Sequence, residues 1–345
     1  MTNFKRYFRS HLKSNLLSLT IILALVLVST VYIGITEQPS QYTDYSSPDR
    51  ESYPYFKSTL YVPVTFMFVL AYVFTVMEFS FFKKRRNLDL VYSLPISKRV
   101  MGAVHYLTGL LEVLGIFTFS YIVNFIVLLS RGSQWFNFAP MIPHYFLCLL
   151  LGFSLYSLMV FVFNEANTVG DGVWFMVAYT FVYYVVMETI SVLSGQGDDL
   201  VLLIVHGGIQ FGVFDYMTRF FQSLVEIKPY NYYEIWIMLS FILEFSTLIV
   251  AGILSTLGLF FTFGKRRMEK TGEISNSVFG FRTFIPIYAV SAMLFWAMSE
   301  DTNYIVIWTS IEILAAIAYT IYRRGFRYKK SDIAVLCLLI IFLFV

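Results

Sequence analysis

The sequence predicts an all-α polytopic membrane protein, and three observations support this fold class. First, 58% of the 345 residues are hydrophobic and only 14% are charged, whereas a soluble domain has roughly 25% charged residues. Second, the mean hydropathy of +0.68 excludes an intrinsically disordered chain, which needs low hydropathy and high charge. Third, the apolar residues form long runs rather than the alternating ~9–11-residue strands of a membrane β-barrel.

A helix needs about 20 apolar residues to cross the ~30 Å hydrocarbon layer of a bilayer. The sequence predicts about nine such spans: Leu16–Ile35, Thr59–Phe82, Tyr106–Leu129, Pro143–Phe163, Val173–Leu193, Ile235–Phe263, Phe284–Met298, Tyr304–Tyr322 and Ile333–Val345. The first is too long for the core of a signal peptide and lacks a small-residue cleavage site after it, so it is predicted to be retained. The last is barely long enough to cross. It is either a short ninth helix or the truncated part of a longer protein, and nine crossings are favoured.

The distribution of cations predicts the orientation of these spans. Twenty of the 25 Lys and Arg residues fall in four segments, which are 1–15, 83–99, 264–282 and 323–330. Cytoplasmic loops of membrane proteins carry an excess of cations, so these segments and the N-terminus are expected in the cytoplasm. The alternation stays in phase only if the short, glycine-interrupted stretch 200–214 is a re-entrant or interfacial element outside.

Residues 1–15 are predicted to form an amphipathic helix at the inner membrane surface. Phe4, Phe8 and Leu12 recur at intervals of four, and three cations follow the same spacing on an adjoining stripe. Such a helix lies with its apolar face in the membrane and its cations toward anionic head groups. The alternative is an ordinary cationic anchor, and the sequence does not separate the two.

The segment 83–99, KKRRNLDLVYSLPISKR, contains a candidate docking site. Four consecutive cations end the second span, and a short helix follows until Pro95 stops it. Leu88, Val91 and Leu94 share one face of this helix. An apolar ridge between two spans on the cytoplasmic side indicates that another protein docks there. The alternative is a solvated loop with incidental leucines.

This segment resembles the cytoplasmic coupling region of ABC-2-type transporter permeases. In that family an acidic residue near the end of the second span is followed by basic residues and an SLPIS-like stretch; here Glu78 is followed by KKRR and by LDLVYSLPISK over 88–98. The chain is most similar to the bacterial acetoin-utilisation and bacitracin-resistance group. The resemblance implies a cytoplasmic coupling helix that binds an ATPase through Leu88, Asp89, Leu90, Val91, Tyr92, Ser93, Leu94 and Pro95.

The resemblance also covers the layout of roughly residues 1–265. The implied organisation is a cytoplasmic interfacial helix (1–15), a six-span permease core (16–263) with an extracellular re-entrant region (194–234), a basic cytoplasmic linker (264–282) and two or three extra spans (283–345). The very short turn between spans four and five is implied to make a secondary cytoplasmic contact through Asn164, Glu165 and Asn167. The extra spans depart from the core layout, and their role stays open.

The resemblance implies a permease subunit of a bacterial plasma-membrane ABC transporter, exporting an amphipathic, lipid-like or peptide cargo. The sequence contains no P-loop of the form GxxxxGK(S/T), so ATP and Mg²⁺ are expected on a separate ATPase subunit. The expected partners are ATPase subunits, a second permease chain and membrane lipids, without nucleic acid. The alternatives are an integral-membrane enzyme, for which no HExxH or GxSG motif is present, and a non-transporting sensor or scaffold.

Five acidic residues lie inside predicted spans, where an ionisable group costs ~2.5–3.5 kcal/mol and should be paired, protonated or in contact with water. They are Glu78, Glu112, Glu188, Glu244 and Glu312. Glu78 and Glu188 lie near span ends, which favours a structural role. Glu112 and Glu244 lie deeper, and for them interhelical packing and a place on the translocation path are both open.

No cofactor, metal site or disulfide is predicted in the chain. Cys148 and Cys337 both lie inside apolar runs, which is typical of packing residues. The four histidines are scattered along the sequence without the spacing of metal ligands.

Overall fold

The computed structural model describes residues 2–37, 40–43, 52–55, 60–84, 96–130, 138–194, 217–218, 221, 233–263, 271–273, 275, 277–297 and 304–343. These residues form helices α1 (Thr2–Thr36), α2 (Tyr61–Phe79), α3 (Lys98–Ser130), α4 (Met141–Glu165), α5 (Val169–Ser194), α6 (Tyr233–Phe263), α7 (Phe281–Ala297), α8 (Tyr304–Arg323) and α9 (Lys330–Leu343). A 3-10 turn, Ser80–Lys83, follows α2. Between α1 and α2, strands β1 (Ser40–Thr43) and β2 (Ser52–Tyr55) pair antiparallel, with Ser40 opposite Tyr55.

Each predicted span overlaps one of these helices over most of its length, which confirms the helical fold class. Among the described residues, five helical stretches are long and apolar enough to cross a membrane: Phe4–Thr36, Tyr61–Lys83, Lys98–Ser130, Met141–Glu165 and Phe245–Phe263. This pattern is consistent with a multi-pass membrane protein. The count of nine crossings and the cytoplasmic N-terminus stay predictions.

Helix α1 continues without a break from Thr2 to Thr36, so the predicted interfacial segment forms its first turns. At 1.5 Å per residue a helix of 35 residues is about 52 Å long. It is therefore long enough to cross the hydrocarbon layer and still carry a cationic stretch beyond it. Lys5, Arg9 and Lys13 in this stretch are exposed.

Capping residues and prolines set several helix boundaries. The hydroxyl of Ser97 accepts a hydrogen bond at 3.4 Å from the backbone N–H three residues further on, at the start of α3. Thr168 does the same for Asp171 at the start of α5, at 3.0 Å. Both are typical N-caps. Pro63 and Pro143 lie in the first turns of α2 and α4, where the missing N–H has no intrahelical partner to lose.

The chain divides into two compact units. Unit 1 comprises Met1–Phe79, Leu94–Val160 and Val213–Arg266, and unit 2 comprises Ser80–Ser93, Phe161–Gly212 and Arg267–Val345.

In unit 1, α1 and α3 lie side by side and run parallel. Thr30 Oγ1 and Ser120 Oγ are 2.9 Å apart in a hydrogen bond, and further along both helices Gly34 lies against Val127. Helix α2 also packs on α3. Glycines allow close helix contacts elsewhere in this unit, as where α6 meets Ser154 of α4 at Gly252. Small residues at such contacts are typical of helices packed in a membrane.

In unit 2, α5 and α7 pack through aromatic rings. Phe175 lies edge-on to Phe281 and Phe284, with ring centroids 5.0 and 5.8 Å apart, and the Tyr288 hydroxyl donates to the Ala178 carbonyl at 2.7 Å. Helices α8 and α9 form a hairpin that packs on α7. Its core comprises Ala289, Met293, Trp308, Ala315 and Leu339.

Candidate functional site

A group of polar and ionisable side chains lies where α1, α2 and α3 meet in unit 1. This polar cluster consists of Tyr7, His11 and Asn15 of α1, Glu78 of α2, and His105 and Glu112 of α3. It lies in the N-terminal halves of α1 and α3 and at the last turn of α2. All three helices are long and apolar enough to cross a membrane, so a polar group of this size among them needs internal partners.

Glu78 is the centre of the polar cluster. Its Oε2 atom lies 2.7 Å from His11 Nε2 and 2.7 Å from His105 Nδ1. Its Oε1 atom accepts a hydrogen bond from Asn15 Nδ2 at 2.5 Å. The Glu78 side chain is only 2% exposed, so these groups take the place of water around the carboxylate. Glu78 therefore connects α2 to both α1 and α3.

The helical repeat explains how the chain presents these side chains together. Tyr7, His11 and Asn15 recur at intervals of four and so share one face of α1. His105 and Glu112 are seven residues, or two turns, apart on one face of α3. The rings of His11 and His105 are in contact, with centroids 4.1 Å apart.

Glu112 occupies the deeper edge of the polar cluster. Its Oε1 atom lies 3.3 Å from Asn15 Nδ2, so the Asn15 amide bridges the two carboxylates. Its Oε2 atom is buried and has no hydrogen-bond partner within the described residues, and the same holds for Thr108 Oγ1 and Tyr156 Oη. An unpartnered buried polar atom costs about 1–3 kcal/mol. This edge of the cluster therefore has unused hydrogen-bonding capacity.

Three members of the polar cluster carry atoms of the kinds that can coordinate a metal ion. His11, Glu78 and His105 each offer one ligand atom, and these atoms lie within 4.8 Å of one another. Imidazole nitrogens and carboxylate oxygens are common zinc ligands. The scattered histidines of the sequence did not predict this group, because His11 and His105 lie in different helices. The available signal was the polar stripe of Tyr7, His11 and Asn15 on α1, which lies beside the apolar stripe on the side away from the cationic stripe.

The predicted secondary contact lies at the turn between α4 and α5 in unit 2. Asn164 is buried there. Glu165 Oε2 accepts a hydrogen bond from Ser277 Oγ at 2.9 Å, and the Asn167 N–H donates to Ser275 Oγ at 2.7 Å. The part of the basic linker that the structure describes therefore packs on this turn.

Lys83 also binds this turn. Its ammonium group donates a hydrogen bond to the Ala166 carbonyl and lies 4.6 Å from the centroid of the Phe163 ring, which is a cation–π distance. Lys83 is buried. The first residue of the predicted coupling segment is thus held by the turn between α4 and α5.

Several predicted functional residues lie outside the described residues. These are the eight ATPase-coupling residues Leu88, Asp89, Leu90, Val91, Tyr92, Ser93, Leu94 and Pro95, and most of the re-entrant region 194–234. Of the two residues predicted on the translocation path, Glu112 belongs to the polar cluster. Glu244 lies in α6, but its side chain is outside the described part of the structure.

Comparison with known proteins gives no match to a family model, to a curated protein or to a solved structure.

Proposed function

We propose that the chain is the membrane-spanning permease subunit of a bacterial ABC transporter of the ABC-2 type, driven by a separate ATPase that docks at residues 83–99. The observation that carries this proposal is the attachment of both ends of that segment. Glu78, just before it, and His105, just after it, join α2 and α3 to each other and to α1. Lys83, at its start, binds the turn between α4 and α5.

This arrangement supports a mechanical role for the segment. Helix α2 and its 3-10 turn lead into the segment at Lys83, and α3 begins at Lys98, so a force on the segment acts directly on two helices. Because the Glu78 carboxylate connects both to α1, the three helices would move together. Rigid-body movement of a helix group is a common way to open and close a path.

The sequence supplies the complementary surface. Leu88, Val91 and Leu94 are predicted to form the ridge that would enter a groove on the ATPase. Charged residues at its rim would fix the register: Arg85, Arg86, Asp89 and Lys98. The ATPase partner would bind ATP and Mg²⁺ and hydrolyse the ATP. An amphipathic, lipid-like or peptide cargo would pass between this chain and a second permease chain.

The proposal is tested by co-purification. The chain, tagged and expressed in a bacterial host that carries its neighbouring genes, is solubilised in detergent, and bound ATPase is identified by mass spectrometry. We expect an ATPase to be recovered with the wild type and lost from the double variant Val91→Asp, Leu94→Asp, because two carboxylates cannot enter an apolar groove without partners. Ser46→Asp with Ser47→Asp adds the same charge in the predicted external segment and serves as the control.

Two results would contradict different parts of the proposal. Recovery of the ATPase with the Val91→Asp, Leu94→Asp variant at the wild-type level would show that docking does not depend on this ridge. Recovery of no ATPase with the wild type, under conditions that keep other ABC transporters intact, would contradict the transporter function itself.

A further inference from the structure

The atoms His11 Nε2, Glu78 Oε2 and His105 Nδ1 converge on one point between α1, α2 and α3. In the structure the carboxylate oxygen lies 2.7 Å from each nitrogen, within hydrogen-bonding distance. Ligands at 2.0–2.1 Å from a tetrahedral zinc ion are about 3.3 Å apart. Each nitrogen–oxygen separation would lengthen by about 0.6 Å to reach this spacing, and the three ligand atoms already lie within 4.8 Å of one another.

We propose that His11, Glu78 and His105 form a binding site for a divalent transition-metal ion, with Zn²⁺ as the best fit. Two imidazoles and one carboxylate are a three-ligand set that zinc binds in proteins, with a fourth position left for water. Mg²⁺ and Ca²⁺ prefer sites made of oxygen ligands, whereas two of the three ligand atoms here are nitrogens. This inference does not depend on the chain being a transporter.

The charges of the polar cluster support a dication. Glu78 and Glu112 are two carboxylates joined through the Asn15 amide, and both are buried. Within the described residues, the ion pairs of this cluster involve only histidines and no Lys or Arg. Because burial of unbalanced charge among membrane helices is costly, a divalent ion with two neutral imidazoles would balance both carboxylates.

The surroundings of the three ligands support metal binding as well. The ring nitrogen of His105 that faces away from Glu78, Nε2, lies 3.2 Å from the Tyr7 hydroxyl. Asn15 holds the second oxygen of Glu78. Metal ligands in proteins are usually oriented by such outer hydrogen bonds, which fix the histidine tautomer and the carboxylate rotamer.

Burial restricts access to one side of the site. The side chains of Glu78 and His105 are 2% and 6% exposed, whereas His11 is 17% exposed. An ion would therefore enter past His11. Once bound, it would cross-link three helices whose contributing residues lie far apart in the sequence, so we expect it to stabilise the fold.

The test uses the full chain in detergent, purified with a tag that contains no histidine and stripped with a chelator. Zn²⁺ uptake is measured by equilibrium dialysis, and Co²⁺ serves as a spectroscopic probe, since tetrahedral Co²⁺ absorbs strongly in the visible range. We expect one saturable equivalent per chain and a higher melting temperature with metal. Tyr7→Phe should weaken binding by about 10-fold, as outer-shell changes do, and His11→Gln or His105→Gln should weaken it further.

His144→Gln is the matched control. His144 is a buried histidine of the same unit that contacts Tyr121 and Cys148 instead of the polar cluster, so its loss should leave metal affinity unchanged. Wild-type protein without one saturable equivalent would overturn the proposal, and this measurement needs no variant to fold. The proposal is equally overturned if His11→Gln and His105→Gln bind like the wild type, or if His144→Gln alone abolishes binding.

Discussion

Glu78 is the residue on which the polar cluster depends, because both of its carboxylate oxygens bind groups from other helices. Hydrogen bonds to a charged group contribute about 1.5–3 kcal/mol each. Glu78→Gln keeps the shape but removes the charge and places an NH₂ group against the Asn15 amide or a histidine. We expect it to lower the free energy of unfolding by about 2–3 kcal/mol. Thermal melting in detergent with a chelator present measures this effect without a contribution from metal.

Glu112→Gln is the matched substitution on the neighbouring helix. One oxygen of Glu112 has no partner in the described structure, and the other accepts a single long hydrogen bond at 3.3 Å. Removing its charge relieves the cost of a buried carboxylate, so we expect a change within about 0.5 kcal/mol or a small gain in stability. A loss as large as that of Glu78→Gln would show that the two carboxylates contribute equally.

At the residue scale, the sequence predicts the buried acids but not their partners. Glu78 and Glu112 stand out because a carboxylate in an apolar run is costly wherever the helix packs. His11 and His105 do not stand out, since their meeting depends on the parallel packing of α1 and α3. That packing arises from contacts such as Thr30 with Ser120, which no local pattern of residues reveals.

At the scale of helices, the glycines of unit 1 divide into those at a close contact and those in open space. A Cβ atom at Gly252 would lie 2.5 Å from the Cα atom of Ser154, whereas one at Gly115 would meet nothing within 4 Å. Alanine is favoured over glycine inside a helix by about 0.5–1 kcal/mol. We therefore expect Gly115→Ala to raise stability by up to this amount.

Gly252→Ala should have the opposite sign. Its methyl group would meet backbone atoms that cannot rotate away, so α4 and α6 must separate, and overpacking of this kind costs about 1–3 kcal/mol. Parallel melting curves of the two variants provide the comparison, because both substitutions add one methyl group to a helix interior. Equal shifts of the two melting temperatures in the same direction would contradict the close contact between α4 and α6.

The hairpin of α8 and α9 contains an ion pair with a defined pH dependence. Asp332 accepts hydrogen bonds from Arg323 Nε at 2.7 Å, from Arg323 Nη2 at 2.9 Å and from the Lys329 N–H at 3.0 Å. Burial raises the pKa of Asp332, but these hydrogen bonds and the Arg323 charge outweigh it and hold the pKa below its usual value. The resulting stabilisation is fully present above the unfolded pKa of about 4 and is lost as the pH falls through the lower folded value.

Asp332→Asn removes this charge and keeps the side-chain size. We expect it to lower stability by about 1–3 kcal/mol at pH 7. The difference between wild type and variant should shrink below about pH 4, where the wild-type carboxylate is protonated first in the unfolded chain and, at lower pH, in the folded protein too. The stability difference is followed by measuring the melting temperatures of both proteins at a series of pH values. A difference that stays constant down to pH 3 would contradict the ion pair.

The helices themselves are the part of the fold that the sequence predicts best. Hydropathy alone locates them, because a membrane helix needs an apolar run whatever its neighbours are. The sequence does not predict the continuity of α1 or the pairing of β1 with β2. In α1 the change from cationic to apolar residues suggested two elements, but nothing in the residues after position 13 breaks the helix. The strands are only four residues each, too short for a clear alternating pattern.

At the scale of the whole molecule, the number of crossings decides on which side each segment lies. The apolar runs of the sequence predict nine, whereas five helical stretches in the described residues meet the length and hydropathy of a span. The two counts differ because α5, α7, α8 and α9 cross the membrane in the first count and do not cross it in the second. They also differ in a measurable way, because strand β1 and the start of α9 are separated by seven crossings in the first case and by four in the second.

Single cysteines at Thr43 and at Ser331 distinguish these topologies. Cys337 is exposed and is replaced with serine, whereas buried Cys148 is out of reach of a membrane-impermeant maleimide and can stay. Nine crossings place the two positions on opposite sides, so Thr43→Cys should be labelled in intact cells and Ser331→Cys only after permeabilisation, as the cations beside Ser331 also favour. Labelling of both in intact cells would mean an even number of crossings between them and would exclude nine. The result also locates the polar cluster, because nine crossings with a cytoplasmic N-terminus place the N-terminal half of α1, where the cluster lies, toward the cytoplasmic face of the membrane.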